Sequence, residues 1–71
     1  MTTEEKIAVL EEMFEAETGT IMPETRLEAL PWDSMAMLSL IALVNERCGK
    51  RLKGADVRAF VSVQDILNAM G

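Results

Sequence analysis

Ser34, directly after Asp33, is the residue in this chain whose type and position best suit it to chemistry. There is no histidine, so the usual general base for a nucleophile is missing, and no glycine-rich loop of the kind that cradles phosphates. The single cysteine, Cys48, has no second cysteine for an internal disulfide, and without histidine a zinc site is not expected. Cys48 also falls on an apolar helical stripe near a helix C-terminus, where the dipole disfavours a thiolate, and it reads as structural. Of the other serines, Ser39 sits mid-helix and Ser62 caps one. Asp33 is an N-cap candidate, which makes Ser34 the first helical residue. A phosphate ester on that hydroxyl would meet unsatisfied backbone N–H groups and the positive end of the helix dipole. The competing reading is that Asp33 and Ser34 simply cap a helix. Neither reading makes the isolated chain an enzyme.

The elements around Ser34 read as helices with one long loop. Hydrophobic spacing predicts helices over about 3–17, 34–48, 55–60 and 62–70, with a further short turn near 26–29. In the first, Ile7, Leu10, Met13 and Phe14 share a face, and Glu4, Glu5, Glu11, Glu12 and Glu15 hold the other. Thr2 and Glu5 have capping-box spacing, and Gly19 closes the segment. The stretch from Thr18 to Trp32, punctuated by Gly19, Pro23 and Pro31, is long for a structureless connection. Ile21, Met22, Leu27 and Leu30 supply the means to pack it down. Trp32 packs that loop or stacks on a ligand. Gly49 stops the second helix, and Ser62 with Asp65 opens the last, whose stripe is Val63, Ile66, Leu67 and Met70. The expected architecture is all-α: one small four-helix bundle over residues 1–71, with a short third helix and a long loop between the first two.

The second helix has more apolar surface than one core contact uses. Met37, Leu40, Ile41, Val44 and Cys48 form one stripe on a 3.6-residue wheel. Met35, Leu38 and Ala42 form a second, separated cluster, and Leu43 lies on yet another side. Such a helix is either buried all round or offers apolar surface to a partner. Pattern alone leaves both open.

Composition narrows the classes. A chain of 71 residues supports one domain of modest stability. The net charge of −5 argues against nucleic acid. Residues 1–33 hold nine acids and two bases, net −7, and residues 34–71 hold three acids and five bases, net +2. Solvated, partly paired helix faces account for most of this, and a bipolar surface that orients a partner is the functional alternative. With no leader-like N-terminus and no apolar run long enough for a bilayer, the expectation is a cytoplasmic, monomeric protein without membrane contact.

The stretch Leu30-Pro31-Trp32-Asp33-Ser34-Met35, the run Leu38-Ser39-Leu40-Ile41, and Gly49 fifteen residues after the serine resemble the acyl carrier protein family. Leu52, Val57, Phe60, Ser62-Val63-Gln64 and Ile66 continue that resemblance in order to the end of the chain. The resemblance implies a four-helix bundle that carries 4′-phosphopantetheine on Ser34, installed from coenzyme A by a phosphopantetheinyl transferase. Asp33 would orient that modification. The arm would hold acyl groups as thioesters and present them to loading and processing enzymes. It further implies a docking face of Met35, Leu38, Ala42 and Glu46, and an acyl cleft near Leu38, Ala42, Val57, Phe60 and Leu67.

The departures are informative. Met35 replaces the leucine of the Asp-Ser-Leu motif, a volume-conserving change. Ala36, Ser39 and Asn45 stand where fatty-acid carriers are acidic, Lys53 stands for a proline, and Pro31-Trp32 for a glycine and a small residue. These changes suggest a specialised fatty acid, polyketide or related pathway, with docking by apolar contact. The alternatives are a peptidyl carrier protein and an unmodified helical interaction module.

Overall fold

The computed structural model describes residues 2–71, and these form four α-helices: α1 Thr3–Phe14, α2 Ser34–Cys48, α3 Gly54–Arg58 and α4 Val63–Met70. A 3-10 turn, Leu27–Ala29, interrupts the loop between α1 and α2. Among the described residues there is no strand, only one antiparallel bridge between Arg26 and Ser62. The radius of gyration is 10.7 Å, close to the roughly 11 Å of a packed domain this long. The all-α class is as expected.

The helix starts follow from their caps. Thr2 accepts the Glu5 N–H at 3.1 Å while Glu5 accepts the Thr2 N–H at 2.9 Å, the reciprocal pair that opens α1. Asp33 opens α2, Ser62 and Asp65 form the capping box of α4, and Gly49 at φ 67° closes α2. The second helix spans the expected 34–48.

Several expectations are corrected. The first helix ends at Phe14, not Glu17, because Glu15 turns left-handed at φ 55° and the Ala16 N–H reaches back to the Glu11 carbonyl at 2.8 Å. That turn tucks Ala16 against the core and sends the chain towards buried Ile21. Glu11, expected on the solvent face, is only 6% exposed. The loop folds over it, and its Oε2 accepts the Gly19 N–H at 2.6 Å, satisfying the carboxylate on the spot. The third helix spans 54–58 rather than 55–60, with Ala59 as its cap and Phe60 outside it.

The core joins all four helices and the loop. Val9 and Leu10 of α1, Leu40 and Val44 of α2, Val57 of α3, and Val63, Ile66, Leu67 and Met70 of α4 are buried with Ile21 and Leu27. Leu30 and Trp32 pack against them, and the Trp32 and Phe14 rings meet tilted at 52° with centroids 6.2 Å apart. Met22, expected to help pin the loop, is instead 52% exposed. Backbone bonds do part of that job. The Leu27 N–H donates to the Val61 carbonyl, and the Val63 and Gln64 N–H groups donate to Thr25 and Pro23 carbonyls, at 2.8–2.9 Å. Loop carbonyls thereby satisfy first-turn donors of α4 that no residue of α4 could reach.

Candidate functional site

Ser34 is exposed at the first position of a fifteen-residue helix. The Asp33 carboxylate accepts the Ala36 N–H at 2.8 Å, and its carbonyl accepts that of Met37 at 3.0 Å. The N–H groups of Ser34 and Met35 remain at the open helix end, where the dipole is positive. Among the described residues no group hydrogen-bonds the Ser34 hydroxyl, whereas the Ser62 side chain is taken up by its capping box. Ser39 is exposed mid-helix, away from any terminus. Position and a disengaged hydroxyl together single out Ser34.

A cleft opens beside that hydroxyl between α2 and α3. Its lining is Ser34, Met37, Leu38 and Ile41 from α2 and Gly54, Val57 and Arg58 from α3, around about 240 Å³. That is smaller than the roughly 300–1,000 Å³ of sites for drug-sized ligands and suits a slim chain better than a bulky ring. Its walls are mostly apolar, and Arg58 is its one charged side chain.

The expected cleft residues divide. Leu38 and Val57 line it. Ala42 does not; it is exposed one turn beyond Leu38 on the outer face of α2. Phe60 lines two other hollows, because α3 ends before it and the chain turns it away. Leu67 is core, on the buried stripe of α4. Sequence reasoning missed Met37, Ile41, Gly54 and Arg58. Met37 and Ile41 share the core stripe on the helical wheel, yet both are only half-buried and form the cleft wall.

The surplus face of α2 is open. Met35 is 77% and Leu38 67% exposed, Ala42 and Glu46 continue the same outer surface, and among the described residues no element covers it. Of the two readings left by the pattern, permanent cover by a neighbouring helix is excluded. At the far end of α2, Arg47 meets Glu12 of α1 at 3.7 Å, a surface pair worth about 0–1 kcal/mol.

Other candidates carry less. A wider hollow, about 520 Å³, lies between α3 and α4 and is lined by Arg51, Asp56, Asp65 and Asn68 among others. Asp65 is engaged there by its cap: the Val61 and Ser62 N–H groups donate to it and hold its carboxyl below the usual aspartate value. Cys48 packs against the core, and Trp32 packs the loop. Among the described residues no cluster of His, Cys, Asp or Glu can hold a metal, and no helix is long and apolar enough to cross a membrane.

No family model, curated protein or solved structure matches the chain. Any functional reading therefore rests on these residues and their surroundings.

Proposed function

We propose that the chain is an acyl carrier, with Ser34 as the attachment point of a 4′-phosphopantetheine arm. The observation that carries this reading is the exposed, disengaged Ser34 hydroxyl at the start of α2, on the rim of an apolar cleft. The surroundings fit such a group. An anion on Ser34 would lie at the positive end of α2, and a chain folding back from it has a slim apolar recess to enter. The arm supplies a thiol on which acyl groups ride as thioesters. Asp33 holds the first turn of α2 in place, so the hydroxyl is presented on a fixed backbone.

Met35 and Leu38 extend the reading to docking. Two large apolar side chains flank the attachment point in solvent, where burial against a partner would gain about 1.5–3 kcal/mol each. Ala42 and Glu46 continue that face towards the C-terminal end of α2. The partners are a phosphopantetheinyl transferase and the enzymes that load and process the cargo. The open face would equally serve an unmodified interaction module, and an amino-acid cargo would make the chain a peptidyl carrier.

Incubation with coenzyme A and a broad-specificity phosphopantetheinyl transferase, followed by intact mass measurement, tests the reading. The expected result is a gain of one phosphopantetheine in the wild type and none in Ser34→Ala. An unchanged wild-type mass with each of several transferases would favour the interaction module.

A further inference from the structure

The cleft beside Ser34 holds one charge and no countercharge. Arg58 shares its lining with Ser34, and no acidic side chain does. Among the described residues the ion pairs are Arg26–Glu28 and Arg47–Glu12, so no carboxylate engages Arg58. Asp56, its acidic neighbour on α3, lines the hollow on the other side with Arg51. Asp33 has its carboxylate turned to the Ala36 N–H. The guanidinium also lies back along α3 beside Gly54, its Nη2 3.9 Å from where a Cβ on that residue would stand, an ordinary contact distance. The guanidinium is thus folded along its own helix on the wall that α3 gives to the cleft.

We propose that Arg58 is an anion seat for whatever is tethered at Ser34, and that it makes the cleft selective for a negatively charged group. The chemistry is a singly charged oxyanion: the phosphodiester that joins an arm to Ser34, or a carboxylate at the end of a short cargo. An anion on Ser34 adds negative charge one residue from Asp33, and Arg58 is the cation positioned to offset it. A guanidinium suits this task because its fork of donors matches both phosphate and carboxylate. The identity of the anion rests on the carrier reading; the seat itself does not.

Two measurements separate them. In Ser34→Cys with Cys48→Ala, the thiolate introduced at position 34 attacks the thiosulfonate sulfur of a methanethiosulfonate reagent. A mixed disulfide forms and methanesulfinate leaves, and intact mass follows the rate. The ratio of rates for the anionic 2-sulfonatoethyl reagent and the cationic 2-(trimethylammonium)ethyl reagent reports the potential at position 34. Arg58→Gln is expected to lower that ratio roughly threefold or more at low salt, and Arg51→Gln to leave it nearly unchanged. Equal effects of the two variants, or none, overturn the seat whether or not Ser34 can be loaded.

The second measurement follows the Arg58 Nε–Hε resonance in protein whose loading has been verified by mass. A shift on attachment of the arm alone identifies the phosphodiester as the anion. A shift only when a malonyl rather than an acetyl group is loaded identifies a cargo carboxylate. A resonance unmoved by arm and by both cargoes overturns the proposal even if the rate ratio falls. Failure of Ser34 to load at all sinks the carrier reading, and the rate ratio then decides the seat alone.

Discussion

Helices α2 and α4 are both rich in apolar residues, yet they use them differently. In α4 the stripe of Val63, Ile66, Leu67 and Met70 is buried completely enough that nothing apolar of that length is left over. In α2, Leu40 and Val44 are fully buried, while Met35 and Leu38, on the same fifteen residues, stand in solvent. A helix that serves only the fold has one apolar face. A helix with a second, uncovered face beside an exposed serine spends sequence on something other than stability.

The largest expected effects lie on the buried sides of both helices. Leu40→Ala or Ile66→Ala should each cost about 2–5 kcal/mol through lost transfer energy and the cavity left behind. In a chain this small that approaches the whole of its stability, and chemical denaturation would show the midpoint collapse. If Leu40→Ala were as harmless as a surface change, the division of α2 into two faces would be wrong.

Caps come next. Ser62→Ala should cost about 1 kcal/mol, as should Asp33→Ala, since each leaves first-turn N–H groups without an acceptor. At Glu15 the sign reverses. Its left-handed backbone strains an L side chain, so Glu15→Gly should stabilise by about 1 kcal/mol, read as a raised melting temperature.

The caps also set an acid limb. Backbone donation from Val61 and Ser62 lowers the Asp65 carboxyl, and the backbone and side-chain bonds with Thr2 lower that of Glu5. The unfolded chain thus binds protons more readily than the folded one. The stabilisation is fully present above the ordinary carboxylate range, about pH 4, and is lost as pH falls through the depressed folded values. Asp65→Asn should flatten that limb, read as a smaller loss of stability in chemical denaturation between neutral and acid pH.

The smallest effect on stability belongs to the open face. Leu38→Glu and Met35→Glu should leave stability within about 0.5 kcal/mol and far-ultraviolet circular dichroism unchanged. The same variants should slow loading of Ser34 markedly. Loading at the wild-type rate in both would remove the docking role from this face.

What the sequence made legible was local. Asp33, Thr2 with Glu5, Ser62 with Asp65, and Gly49 act within a turn of themselves, so spacing located them and gave α2 to the residue. The exposed face of α2 was visible as surplus on the wheel, though its fate depended on what packs nearby. The misses were non-local. Nothing around Glu11 signals that Gly19 will donate to it, and nothing in 23–25 signals carbonyls for the start of α4. The cleft exists only where α3 is placed against α2, so spacing along the chain does not point to Gly54 and Arg58, nor does it show that Phe60 faces other hollows.

The attachment itself is tested most directly at the level of one peptide. Trypsin cuts after Arg26 and Arg47, and the resulting peptide 27–47 contains two serines, Ser34 and Ser39. After incubation with coenzyme A and a transferase, fragmentation should place the phosphopantetheine mass on Ser34 alone. A peptide that remains unmodified, or one that carries the mass on Ser39, would contradict the account.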